Sequence, residues 1–163
     1  MILPLPPLLI EMMEDGRWNH LAAEAIALIA PFIREELCFR TSEYQVPTGE
    51  CLMGAAEDEN EIFHEYRGSK IPEARELPWV DVEKTALIAV NKFPGDDVAI
   101  ALDYRTCMTD PRVIGTDWAT HGGIGCHWRE IAPTFTEFAI RFAESTTTQN
   151  TGRQATASPS PAP

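Results

Sequence analysis

The sequence predicts an α+β domain with a small, mainly antiparallel sheet flanked by helices, and three observations predict it. Two apolar runs of strand length, Lys84 to Phe93 and Asp97 to Arg105, are separated by little more than Pro94-Gly95-Asp96. A Pro-Gly pair suits the central positions of a tight turn, so the runs read as a hairpin. A third run, Arg112 to Trp118, follows the turn signal Thr109-Asp110-Pro111, and the best-marked helix in the chain opens at Thr134. Strands grouped together and then closed by an amphipathic helix are the pattern of an α+β layer.

The first helix is expected to start after Pro6-Pro7, because proline is tolerated in a first turn, and to stop at Gly16. Asn19 is a candidate N-cap for a second helix, with Leu21, Ala22, Ala25, Leu28, Ile29 and Phe32 at helical spacing and Pro31 to end it. Glu36 to Gly54 has weak patterning and reads as a loop with at most one short helix. Asp58 to Tyr66 reads as a third helix with an apolar stripe of Ile62, Phe63 and Tyr66. Gly68 to Pro78 is a connector rich in charge and turn formers, and the sheet begins near Trp79.

Side chains alternate along a strand. In the second strand of the hairpin this sends Val98, Ile100, Leu102 and Tyr104 one way and Asp97, Ala99, Ala101 and Asp103 the other. The alanine face has room for a helix at close range. His121 to Gly125 reads as a glycine-rich loop and Cys126 to Arg129 as a short fourth strand. Thr134 with Glu137 makes a capping box, and Phe135, Phe138, Ala139 and Phe142 then form a stripe that packs on the sheet. After Glu144 the chain turns polar and proline-bearing, so residues 1–144 read as one domain and 145–163 as a disordered tail.

The chain has 163 residues, 44% of them hydrophobic, which is enough for one core without disulfides or metal. Its formal net charge of −12 disfavours nucleic acid and anionic membranes as partners and favours basic ones. Cys38, Cys51, Cys107 and Cys126 form no C-x-x-C pair and read as reduced cytoplasmic thiols. The apolar opening is short and broken by Pro4, Pro6 and Pro7, unlike a secretory signal or a membrane span.

Catalytic and cofactor signatures are lacking. His121, Cys126, His127 and Cys107 are zinc-ligand types without paired-ligand spacing. Glu61 and His64 share a helix face but have no second E-x-x-H to complete a dinuclear carboxylate site. Gly122, Gly123 and Gly125 match no phosphate-binding loop, and no G-x-S-x-G is present. No catalytic residue, metal ligand or cofactor is assigned. The candidate contacts are instead partner-binding: Asp58, Glu59 and Glu61 at a helix start, Asp96 and Asp97 at the hairpin tip, and Trp79 at the sheet entrance. Helix dipoles and turns also favour acidic residues at such places. Trp18, Trp118 and Trp128 are expected in the core or at its edge.

Gly95 to Arg105, Trp118, and W-x-x-I-A-P-T-F-x-x-F from Trp128 to Phe138 resemble the SUKH superfamily. The segments LPPLLIEMMEDGRW and LPWVDVEK are similar to its bacterial members as well. The likeness spans most of residues 3–144 and leaves out Cys38 to Ser69. It implies a SUKH-like α+β fold and, in bacteria, an immunity protein that neutralises a cognate protein toxin, here a basic one. Two other readings stay open: a regulatory or scaffold domain of the same type without a toxin, and an enzyme that assembles groups such as Asp103, His127 and Glu130 in space. Oligomeric state is not legible.

Overall fold

The computed structural model describes residues 3–18, 23–39, 76–92, 98–117 and 127–154. Five strands, β1 (Leu37–Phe39), β2 (Thr85–Asn91), β3 (Ala99–Asp103), β4 (Arg112–Asp117) and β5 (His127–Ala132), form one sheet. Each pairs antiparallel with the next in sequence. The helices are α1 (Pro7–Glu14), α2 (Ala23–Ile29) and α3 (Phe135–Gln154), with a 3-10 turn at Val82–Lys84. An antiparallel sheet with helices on it is the expected α+β class.

Local chemistry sets the helix ends. Pro7 opens α1 where its missing N–H costs nothing, and Gly16, at φ 80°, takes the left-handed conformation that ends it. Pro31 follows the end of α2. Thr134 Oγ1 accepts from the Glu137 N–H at 3.1 Å, and Asp110, from the β3–β4 connection, accepts from the Thr136 N–H at 2.9 Å. The Glu137 carboxylate pairs with Arg141. This cap is therefore shared between the helix's own threonine and an aspartate from another element.

Alternation along β3 divides the core into two. Val98, Ile100, Leu102 and Tyr104 join Trp18, Ile26, Ile33, Phe135, Phe138 and Phe142 in a large cluster beneath the helices. Trp18 is its hub, edge-on to Phe39 at 5.2 Å and within 6.5 Å of both Phe135 and Phe138. Ala99 and Ala101 belong to a smaller cluster on the opposite face, with Val80, Leu87, Ile114 and Trp128. A bulge between Leu87 and Ala89 resets β2, so that Ile88 and Ala89 both serve the helix side. Gly115 lets α2's exit pack closely: a Cβ there would stand 2.9 Å from Ile131 Cδ1 and 3.0 Å from Ile33 Cδ1.

Three boundaries differ from the sequence reading. β1 lies where a loop was expected, because three residues are too few to show a period. It is fixed instead by partners in β2 and by Glu36, which receives the Lys92 N–H and pairs with Lys92 Nζ at 2.6 Å. β5 runs on to Ala132, past Arg129. α3 extends to Gln154, past Glu144, where composition placed the start of a disordered tail. Extending a capped helix costs far less than nucleating one, and Ser145 is buried with its hydroxyl on the Phe142 carbonyl. The second helix's start, the Asp58 to Tyr66 helix, the Pro94-Gly95-Asp96 turn and the His121 to Gly125 loop lie outside the described residues.

Candidate functional site

On the sheet face opposite the helices, the segment Glu76 to Asp81 crosses as a strap. Its local fold follows from its alternation: Val80 is fully buried among Leu87, Ala99, Ala101, Ile114 and Trp128, with Leu77 packed beside it. Trp79 therefore points outward and is 42% exposed. Its backbone is held from three directions. The Trp79 N–H donates to the Glu76 carbonyl at 3.1 Å, and the Trp128 N–H donates to the Pro78 carbonyl at 3.0 Å. Arg105 Nη2 donates to the Trp79 carbonyl at 2.9 Å.

Arg105 is itself locked. Asp103, at the end of β3 and fully buried, accepts from Arg105 Nε at 2.8 Å and Arg105 Nη2 at 2.7 Å, and from Arg112 Nη2 at 2.6 Å. Asp103 and Arg112 are direct cross-strand partners. Arg112 Nη1 also reaches Glu130 at 3.5 Å, and its Nε is buried with no hydrogen-bond partner among the described residues. Burial alone would push the Asp103 carboxyl up, but hydrogen bonds from Arg105 and Arg112 outweigh it and hold the group below the usual carboxylate range. The network is charge-balanced, two guanidiniums against Asp103 and Glu130, and it ties the ends of β3, β4 and the strap together.

The stretch of chain around Trp79 is rich in acidic residues. Glu76 and Glu83 are exposed and Asp81 is half-buried. Asp81 Oδ1 accepts the Glu83 N–H at 3.1 Å, and Lys84 Nζ lies 3.6 Å from Asp81 Oδ2. The segment that carries Trp79 thus holds three carboxylates and one ammonium, and the Arg105 guanidinium fixes its main chain. What it presents to solvent is a flat apolar side chain on a tethered backbone.

Among the predicted contacts, Trp79 is the one that the described residues include, and it stands on the surface. Asp58, Glu59, Glu61, Asp96 and Asp97 lie outside the described residues. Trp18 and Trp128 are buried as expected; Trp118 lies outside the described residues. Asp103, His127 and Glu130 do not converge. Asp103 is consumed by two arginines, Glu130 shares Arg112 with it, and His127 sits opposite Asp117 on the other side of β5. Among the described residues no group of three His, Cys, Asp or Glu side chains is placed to hold a metal ion. No helix among them is long and apolar enough to cross a membrane.

No family model, curated protein or solved structure matches the chain. The Asp103 network went unnoticed in the sequence. Its signal was present, since an Asp on a strand's alanine side with arginines at both ends of the next connection must either be solvated or paired. Choosing between those outcomes requires the β3–β4 register.

Proposed function

We propose that this chain is a non-catalytic, acidic binding protein of the SUKH type, acting in the cytoplasm as an immunity protein against a basic protein toxin. The observation that carries the binding role is Trp79, exposed on a strap whose backbone is fixed by buried ion pairs. Tryptophan is enriched where binding energy concentrates, and a preorganised anchor loses little entropy on association. Glu76, Asp81 and Glu83 in the segment that carries Trp79, and the net charge of −12, favour a cationic partner. Carboxylates would speed the encounter, while the indole, once covered by the partner, would slow release. Neutralisation is then stoichiometric occlusion of the toxin. The toxin and immunity role rests on the resemblance of Gly95 to Arg105 and Trp128 to Phe138 to that superfamily.

The test is capture from the organism that encodes the chain, using tagged wild-type protein and Trp79→Ala, each washed at low and high salt. A basic partner held by wild type and lost from Trp79→Ala supports the reading, and inhibition of that partner's toxicity on co-expression supports immunity. Equal capture by both proteins removes Trp79 from the interface. A captured partner that is neither toxic nor basic replaces immunity with a scaffold role.

A further inference from the structure

The two edges of the sheet are finished differently. β5 carries three obstacles to a further strand. The Trp128 N–H donates to the Pro78 carbonyl at 3.0 Å, and Arg141 Nη1 of α3 donates to the Ile131 carbonyl at 3.0 Å. The register shift between Val113 and Ile114 leaves Ile131 without a partner in β4, a bulge that spoils the strand as a template. β1 has none of these devices among the described residues. The Lys92 N–H donates to the Glu36 carbonyl, so Glu36 and Lys92 are a hydrogen-bonded pair, and two residues on so are Cys38 and Val90. Leu37 and Phe39 therefore turn their N–H and C=O groups away from β2, where no described residue takes them.

Such an edge accepts a strand, and the sequence around β1 selects which one. Set antiparallel to itself about Cys38, the segment Glu36-Leu37-Cys38-Phe39-Arg40 is self-complementary. Leu37 falls opposite Phe39 of the second copy, and Phe39 opposite its Leu37, so their outward N–H and C=O groups satisfy one another. Both side chains border the helix-side cluster, which the pairing continues from one copy into the other. Glu36 falls opposite Arg40 of the second copy, the residue that follows β1 in the sequence, so unlike charges meet at both ends. Arg34 to Arg40 holds two arginines and two glutamates. The edge itself is therefore neutral, and the net charge of −12 arises elsewhere in the chain.

We propose that two copies of this chain join through β1, antiparallel and about a twofold axis at Cys38, making one continuous sheet of two five-stranded halves. The register has a chemical signature. Cys38 faces its own copy at a non-hydrogen-bonded position, where Cα atoms stand about 4.5 Å apart, inside the roughly 4.4–6.8 Å that a disulfide spans. Alternation puts Cys38 on the face opposite Leu37 and Phe39, and it is exposed, so a reagent reaches it. The interface is separate from the Trp79 strap and stands whether or not Trp79 binds.

Sedimentation of the full chain should show a mass that rises with concentration from one chain to two. Diamide, which takes up the two hydrogens that a pair of thiols gives up, should trap a dimer whose disulfide maps to Cys38 in both copies. Cys38→Ser should abolish that trap and keep the equilibrium dimer. Arg40→Glu and Glu36→Arg should each weaken self-association about tenfold or more, because each sets like charges opposite one another at both ends. An equimolar mixture of these two variants should recover wild-type association, which a merely structural role of either residue would not produce. A single-chain mass at every concentration, a disulfide that excludes Cys38, or a mixture no better than its components would each overturn the proposal. Should a charge variant lose its fold, the mass and the disulfide map of the wild-type chain still decide.

Discussion

The two faces of this sheet are built on different principles. Under the helices, Trp18, Phe135, Phe138, Ile100 and Leu102 interlock, and the buried side chains are large and nearly all apolar. Across the sheet the cluster is smaller, with Trp128, Leu87, Val80 and Ile114 packed over Ala99 and Ala101, and order at the end of the central strand comes from Asp103 held between Arg105 and Arg112. Non-directional burial supplies stability to the first face. Directional bonds supply position to the second, and what they position is the exposed Trp79. A guanidinium on the Trp79 carbonyl fixes the backbone at that point, which apolar area alone does not do.

Deletions should separate the two. The largest loss is expected for Phe138→Ala, about 3–5 kcal/mol by urea denaturation, since it empties the centre of the aromatic cluster. Asp103→Asn should cost about 3 kcal/mol, because it takes the carboxylate from two largely buried guanidiniums and leaves only Glu130, 3.5 Å from Arg112, as counter-charge. The two are told apart by acid. Asp103 has a depressed folded-state value, so its contribution is fully present above the unfolded carboxylate range. It fades as pH falls through the lower folded value. The gap between wild type and Asp103→Asn should therefore narrow in strong acid, whereas the Phe138→Ala gap should not close through this titration.

Smaller effects sharpen the contrast. Gly115→Ala should destabilise by about 1–3 kcal/mol, since the new methyl meets Ile131 and Ile33 in a packed layer. An unchanged melting temperature would mean that α2's exit has slack. Trp79→Ala should change stability by about 1 kcal/mol or less while weakening partner capture, as expected of a side chain that stands partly clear of the surface at 42% exposure.

Legibility in the sequence follows the same division. Periodicity located the helix-side elements, because large apolar side chains at regular spacing are what that face requires. Thr134 and Gly16 marked ends that the structure uses. The division of β3 into Val98-Ile100-Leu102-Tyr104 and Ala99-Ala101 is the one observed. β1 escaped notice because its order comes from β2, not from its own pattern. Trp79 stands out in the sequence at the sheet entrance, but its tether does not, since Arg105 lies 26 residues away from it in sequence.

The most direct test is amide hydrogen exchange of Trp79 and Trp128 in wild type and in Arg105→Met, which keeps the stem and removes the donors. If the arginine bridge fixes the strap, both amides should exchange about tenfold or more faster in the variant, with Phe138 unaffected. Unchanged protection at Trp79 and Trp128 would show that Val80 burial alone holds the strap, and would contradict the positioning role assigned to the Asp103 network.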